Sequence, residues 1–417
     1  MINIEENYSV PSLKANVVWN TTGSLIYWGT QWLITVLLFR MMGAYETGVF
    51  QLCMTIAAVF VSVALFGMRN YQISDVEDRY RNSEYIGSRI ITVIVTFIVS
   101  VAFVMVNSYD THKKICIILY MIFKLSEAVV DVYHGIDQKL MKMDYVGISF
   151  ALRGILSFAS FVLLCRFTDD LIVSITGMIF VVYAVIIIYD IPMCSKLMPV
   201  KPSFDMKRIL PLLFVCIPLV GYNFFMNGNV SVAKYILEKK LGSDLFGYYT
   251  SVATPAVIVQ TAATFIYSPF VPVLSKYYSE RSYKKYIKMI LSVCMIIAVI
   301  CILAVTGSFF LGEYALTMIL GDNIADYIYL LVPIIISTCV IAFSWFISTV
   351  LIVIRKLKIL LFITMSGFAL CAVLTQPLIR IHGANGATYA VIASQLIMIV
   401  GYVAVICFDL KRQGKAY

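Results

Sequence analysis

The stretches RMMGAYETGVFQ (residues 40–51) and KKLGSDLFGYYT (residues 239–250) carry one pattern: a basic residue, then Gly-x4-Gly, then an aromatic residue two positions on. Gly43 pairs with Gly242, Gly48 with Gly247 and Phe50 with Tyr249, at an offset of 199 residues throughout. Each stretch follows a long apolar segment, so the pair marks the same point in two copies of one design. A duplication of this kind divides the chain into an N-terminal half, residues 1–200, and a C-terminal half, residues 201–417.

Outward from these stretches the chain is a succession of apolar runs. It is 61% hydrophobic and 13% charged over 417 residues, against roughly 45–50% and 25% in a soluble domain. Apolar segments begin near Val17, Gly48, Ser88, Ile115, Val146, Leu171, Ile209, Gly247, Ile287, Tyr327, Ile359 and Ala387, each of about 20 residues, enough to cross ~30 Å of hydrocarbon as a helix. The expected fold is therefore an all-α integral membrane protein of about twelve transmembrane helices in two six-helix bundles. Six is even, so both halves have the same topology and are related by a pseudo-twofold axis along the membrane normal. The start of the chain is polar and lacks a short apolar stretch followed by a small-residue cleavage site, so no cleavable signal is expected.

Charge sets the orientation. Most of the 32 Lys and Arg residues fall on the side of the termini and the even connections, including Arg79, Arg81, Lys276, Lys284, Lys285, Arg355 and Lys411. Basic residues are retained on the cytoplasmic side during insertion, which places both termini in the cytoplasm. The net charge of +9 is then topological and implies no nucleic-acid partner. The ten cysteines lie mostly within apolar segments without CxxC spacing, and His112, His134 and His382 stand at no zinc spacing. Neither metal nor cofactor is implied.

Only Lys124, Arg153 and Lys234 are expected inside helices rather than at their edges. In IFKLSEAVVDVYHG (residues 122–135) the charges Lys124, Glu127 and Asp131 share one helical face, spaced by three and seven. Lys124 falls about nine residues into the fourth segment, near the bilayer midplane, and Arg153 reaches a similar depth in the fifth. A charge at that depth costs at least ~2.5–3.5 kcal/mol, so such residues face a partner or water. Two readings stay open: a static polar seam with Glu127 neutralised by Lys124 and Arg153, or a water-filled, substrate-facing cavity. In the seventh segment Asn223, Asn227, Ser231 and Lys234 share a face; in the first, Asn16, Asn20, Gly23, Tyr27 and Gln31 do. Both faces are candidate cavity lining or interhelical glue. At the end of the second segment, Arg69, Gln72 and Asp75 form a candidate cytoplasmic gate or headgroup contact, or anchor the helix. Prolines are expected only in the second-half helices, at Pro211, Pro218, Pro255, Pro269, Pro272, Pro333 and Pro377, where they make helices seven and eight candidates for bending.

LLFRMMGAYETGVFQ, LFGMRNYQISD, KLSEAVVDVYHGIDQKLMKMDYVGISFALRGI, KKLGSDLFGYY and GANGATYAVIASQ, in this order and spacing, resemble the polysaccharide-transport branch of the multidrug/oligosaccharidyl-lipid/polysaccharide (MOP) flippase superfamily, whose O-antigen flippases are called Wzx. The resemblance implies a V-shaped, MATE-like pair of bundles in the bacterial cytoplasmic membrane. It implies a flippase, not an enzyme, that moves an undecaprenyl-diphosphate-linked oligosaccharide from the inner to the outer leaflet by alternating access. The repeat unit belongs to O-antigen (and so lipopolysaccharide), capsule or a related polysaccharide. It further implies that Lys124 and Arg153 serve the anionic diphosphate or acidic sugars, with the polymerase and glycosyltransferases of the pathway as partners beside membrane lipids. The coupling ion, proton or sodium, is left open. Two rivals are a multidrug or organic-cation antiporter of the same superfamily, against which stands a first helix without Asp or Glu, and a polytopic polysaccharide polymerase or ligase, against which stand the short odd connections.

Overall fold

The computed structural model describes residues 11–75, 79–267 and 270–414. Its helices run in the order α1 (Leu13–Leu65), α2 (Met68–Ser74), α3 (Asn82–Val106), α4 (Thr111–Lys139), α5 (Met143–Thr168), α6 (Leu171–Val185), a π turn (Ile186–Asp190), α7 (Ile191–Leu197), α8 (Met206–Val252), α9 (Thr254–Tyr267), α10 (Val271–Ser279), α11 (Tyr283–Leu320), a 3-10 turn (Asp322–Leu330), α12 (Leu331–Val353), α13 (Leu357–His382) and α14 (Asn385–Gly414).

Among the described residues nine helices are long and apolar enough to cross a bilayer. Two of them hold two spans each. At 1.5 Å per residue the 53 residues of α1 extend about 80 Å, more than twice the hydrocarbon thickness. The helix breaks at Gly43, with φ 80° and ψ −170°, and the 47-residue α8 breaks at Gly242, with φ 85° and ψ 166°. That backbone region is essentially closed to side chains with a Cβ, which is why both breaks fall on glycine. The charged α4, 29 residues long, supplies the remaining span. The twelve expected spans are thus α1 on either side of Gly43, α3, α4, α5, α6 to α7, α8 before Gly242, the rest of α8 with α9, α11, the 3-10 turn with α12, α13 and α14.

The boundaries move in two places. The third span starts at Asn82 rather than near Ser88, opened by the Arg81 backbone N–H, which donates to the Glu84 carboxylate at 3.0 Å. Arg89 therefore lies within the helix, 1% exposed, and joins the basic residues inside helices that the sequence limited to three. The sixth span continues through the π turn to Leu197, so Pro192 sits within a first-half helix, in the first turn of α7 where proline is tolerated. Pro211 and Pro218 lie inside α8 and Pro377 inside α13, whereas Pro333 is in the first turn of α12; Pro269 lies outside the described residues.

By internal contacts the chain divides into two units, residues up to Met41 with Ile56–Val220, and Met42–Thr55 with Gly221–Tyr417. In the first unit α4 packs against α3, α5, α6 and α2. Helix α1 lies directly on α5: a Cβ on Gly23 would stand 2.3 Å from the Gly147 carbonyl oxygen, and one on Gly147 would stand 2.3 Å from that of Trp19. Gly154 continues this seam against the Tyr27 backbone. Apolar side chains such as Ile98, Val106 and Phe180 are exposed on the outside, while Ser126, Ser149 and Ser157 are buried. Such an inside-out distribution suits a lipid solvent, where small and polar residues hold helices together.

In the second unit α12, α13 and α14 pack together, with α9 and α11 against α12. Its interior is tied by Asn229, which donates to Ser394 Oγ (3.1 Å) and accepts from Gln395 Nε2 (3.0 Å). The segment carrying Gly48 crosses the end of α8. A Cβ on Gly48 would lie 1.9 Å from the Ser243 carbonyl oxygen, and one on Gly247 would lie 1.9 Å from that of Ala44. Ala44 and Ser243 are themselves separated by the repeat offset, so the crossing is locally two-fold symmetric. Gly48→Ala or Gly247→Ala must push the two backbones apart, at ~1–3 kcal/mol for an overpacked contact. Each substitution is expected to lower the thermal unfolding midpoint of the purified protein, while Gly29→Ala, where nothing lies within 4 Å, leaves it unchanged or raises it.

Candidate functional site

Helix α4 is the polar spine of the first unit. Lys124 Nζ is 2.5 Å from Glu127 Oε1, one turn along the same helix. The Tyr27 hydroxyl of α1 donates to the same carboxylate oxygen. The α1–α5 glycine seam makes this possible, because a side chain at Gly154 would strike the Tyr27 backbone. Lys124 also stands over the Trp28 ring, 5.7 Å from its centroid. Arg153 on α5 lies over the other aromatic partner, 5.6 Å from the Tyr27 ring, and donates to Ser126 Oγ at 3.1 Å. It is completely buried, and its Nε and Nη1 have no hydrogen-bond partner. Tyr27, Lys124, Glu127 and Arg153 thus form one cluster across three helices.

One further turn along α4, Asp131 binds two arginines, Arg89 Nη2 of α3 at 2.7 Å and Arg69 Nη1 of α2 at 3.5 Å. Arg89 Nη1 donates to the Ala64 carbonyl at 2.7 Å, and Thr92 donates to it at 3.0 Å. That carbonyl belongs to the last turn of α1, where no intrahelical donor remains. Arg89 therefore closes a helix end and neutralises Asp131 at once. Arg69 donates further to Gln138 Oε1 at 2.8 and 3.1 Å.

The remaining candidates divide. Gln31 is buried within the first unit, donating to Ser157 Oγ at 3.3 Å. Gln72 is buried against α4, where its Nε2 meets the Val132 carbonyl and its Oε1 occupies the space left by Gly135. Asp75 accepts from the backbone N–H of Arg79 and Tyr80 and from the Tyr85 hydroxyl, each at 3.0 Å, so it organises the connection after α2. In the second unit Asn227 is exposed and donates to the Asn223 carbonyl at 3.0 Å, and Asn223 is half-buried. Lys234, also half-buried, has no hydrogen-bond or ion-pair partner among the described residues.

Arg89, Trp28, Ser126 and Asn229 were not singled out by sequence. The late start expected for the third span puts Arg89 at a helix edge; Trp28 and Asn229 meet partners on helices far away in the chain, and Ser126 meets Arg153 of the next helix.

A family model described as "Polysaccharide biosynthesis protein" matches residues 13–278. The capsular polysaccharide biosynthesis protein CapF of Staphylococcus aureus is 23% identical over 375 residues, which cover 89% of this chain and 93% of CapF. Among solved structures, the lipid II flippase MurJ in an inward closed conformation aligns with a TM-score of 0.75 at 13% identity, covering 94% of this chain and 87% of MurJ. An inward-facing multidrug resistance MATE family transporter of the MOP superfamily aligns at 0.66 and 13% identity, covering 95% and 99%. These structural likenesses identify the fold.

Two measurements probe the paired charges. Asp131→Asn leaves the Arg89 guanidinium buried without its counter-charge and is expected to cost ~3–5 kcal/mol, whereas the double variant Arg89→Leu/Asp131→Leu costs less; thermal midpoints of the single and double variants read the difference. At Asp75, burial alone would raise the carboxyl, but the N–H groups of Tyr80 and Arg79, the Tyr85 hydroxyl and nearby Lys139 outweigh it and hold it below the ordinary carboxylate range. A depressed folded-state value stabilises the fold above the unfolded value of about 3.9 and ceases to do so as pH falls through the folded one. Asp75→Asn should therefore lower stability at neutral pH and flatten the acid limb of the stability profile.

Proposed function

The chain belongs to the polysaccharide biosynthesis protein family, and on that premise we propose that it is a flippase for an undecaprenyl-diphosphate-linked oligosaccharide, moving it from the inner to the outer leaflet by alternating access. The proposed setting is the bacterial cytoplasmic membrane, with both termini in the cytoplasm and residues 1–200 and 201–417 as the duplicated halves. The observation that carries the reading is a basic side chain inside a membrane span in each unit: Lys124, held by a single carboxylate, and Lys234, with no partner among the described residues. Isolated cations in hydrocarbon are expensive. An anionic headgroup supplies the counter-charge that Lys234 lacks and takes the place of Glu127 at Lys124.

In this mechanism Lys124 exchanges Glu127 for a phosphate oxygen. Glu127 does not become unpaired, because the Tyr27 hydroxyl still donates to it and the Arg153 guanidinium, over the Tyr27 ring, remains beside it. Arg153 is too deeply enclosed to contact a large headgroup and serves as a positioning residue for Glu127 and Tyr27. Asp131, already matched by Arg89 and Arg69, limits the positive charge along α4 and prevents over-tight capture. Gln31 supports the same helices through Ser157, while Asn223 and Asn227 offer amides to the glycan on the Lys234 face. Arg69, Gln72 and Asp75 shape the entry end. An interior-negative potential favours outward movement of a diphosphate by ~2.3 kcal/mol per charge per 100 mV, so the potential contributes drive whether or not an ion is coupled.

The repeat unit, whether of capsule, O-antigen or a related polymer, is set by glycosyltransferases and a polymerase working with this protein. CapF, by its name, belongs to capsule biosynthesis, which favours a capsular unit. A cation antiporter, the alternative offered by the multidrug transporters of similar fold, is disfavoured by the same two lysines.

The test is a reconstituted flipping assay with a defined lipid-linked oligosaccharide. Each charge-assisted phosphate contact is worth ~1.5–3 kcal/mol, so Lys124→Ala and Lys234→Ala are each expected to slow flipping about ten- to a hundredfold. Wild-type rates in both variants would remove the proposed mechanism, and uptake of a fluorescent cation without flipping would favour the antiporter.

A further inference from the structure

Beyond the Asp131 pairs, the C-terminal end of α4 holds a second polar cluster that the proposed transport path does not use. His134 and Asp137 on α4 meet Asp190, which closes the π turn, and Asp144, near the start of α5. His134, Asp137 and Asp190 are 1%, 2% and 3% exposed. His134 Nε2 stands 3.5 Å from Asp190 Oδ1, without hydrogen-bond geometry. Four atoms here are buried with no hydrogen-bond partner: His134 Nε2, Asp137 Oδ1, Asp144 Oδ1 and Asp190 Oδ2. An orphan of this kind is costly, and most buried polar groups in native structures have a partner.

Three of the four orphans are carboxylate oxygens, which as carboxylates can only accept. Asp137 lies within electrostatic reach of both Asp190 and Asp144, and neighbouring carboxylates in a buried site do not all ionise. The surrounding groups do not resolve the conflict. Arg69 is in reach but is engaged by Gln138 and Asp131, and Arg153 is in reach of His134 but turned to Ser126. Cys194 of α7 offers its thiol hydrogen to Asp137 but leaves Asp137 Oδ1 without a partner, and Tyr133 of α4, Tyr189 of the π turn and Tyr145 of α5 beyond it add weak acids rather than bases. Lys142, at the head of α5, meets Asp137 through its backbone N–H, which donates to the Asp137 carbonyl at 2.8 Å. His134 packs edge-on against Phe150. No three His, Cys, Asp or Glu side chains among the described residues are arranged to hold a metal ion. A single proton, by contrast, turns a carboxylate acceptor into a donor, the group that this cluster lacks. The π turn that carries Asp190 is a helix irregularity found frequently at functional sites.

We propose that His134, Asp137 and Asp190 form a proton-binding site in which Asp137 takes a proton from the aqueous phase at the end of α4 and shares it with Asp190, and that this proton is exchanged during the transport cycle. The exchange rests on the flippase reading; the proton site does not.

Two readouts keep them apart. In infrared spectra of the purified full-length protein in lipid nanodiscs, wild type should carry a protonated-carboxyl C=O band at neutral pH that Asp137→Asn removes and Asp190→Asn shifts or removes, with size-exclusion profiles and thermal midpoints confirming that both variants fold. No such band, or a band untouched by both substitutions, overturns the site. In proteoliposomes, wild-type flipping should change with pH on the side exposing this end of α4, and Asp137→Asn should flatten that profile by at least threefold across its range. A present band with an unchanged pH profile overturns the exchange and leaves the site. Absence of wild-type flipping with the band intact overturns the flippase reading alone.

Discussion

The ion pair between Lys124 and Glu127 rests on a hydroxyl from another helix. A carboxylate and an ammonium removed from water lose several kcal/mol of solvation each, which their mutual attraction repays only when the remaining lone pairs are also satisfied. Tyr27 supplies that donor. It reaches Glu127 because α1 lies on α5 at backbone-contact distance, through Gly23, Gly147 and Gly154. The same approach sets Arg153 over the Tyr27 ring. Helix packing and charge placement are therefore one problem in the first unit, and the glycines are as much a part of the site as the charged groups.

Further along α4 the same rule is met differently. Asp131 takes two arginines, one of which also closes the end of α1. Beyond it, His134, Asp137 and Asp190 each keep a buried polar atom without a hydrogen-bond partner. A single helix thus passes from a matched pair with one exposed edge, through an over-matched carboxylate, to a cluster short of a proton. In the second unit Lys234 has burial without a counter-charge, whereas the amides around Asn229 are satisfied within the helices. The contrast separates polar groups that the helices satisfy among themselves from one that they do not.

Much of the fold was legible because its decisive signals are local. A positive-φ break needs glycine, so Gly43 and Gly242 mark equivalent points in two copies and the structure breaks both helices there. The close crossing at Gly48 and Gly247 follows from the same short pattern. The spacing of Lys124, Glu127 and Asp131 correctly gave a shared helical face. Periodicity does not say what that face meets, however. Tyr27 and Arg89 lie 100 and 42 residues from the carboxylates they serve. Arg89 was further hidden by a helix that starts at Asn82, a turn and a half before its apolar run. For Gln31 the sequence recorded a polar side chain in an apolar segment, and for Gln72 one at the end of such a segment, patterns that a buried amide and a ligand-facing one satisfy equally.

The central claim is that Lys124 leaves Glu127 for an anionic lipid headgroup, rather than remaining in a static seam. Reversing the pair separates these roles, because a seam needs only complementary charges while a ligand needs the cation where it stands. The measurement is flipping of a lipid-linked oligosaccharide, alongside thermal stability, in Lys124→Glu and in Lys124→Glu/Glu127→Lys. The account predicts that the double variant regains stability relative to the single one while flipping stays lost. Recovery of flipping together with stability would contradict it.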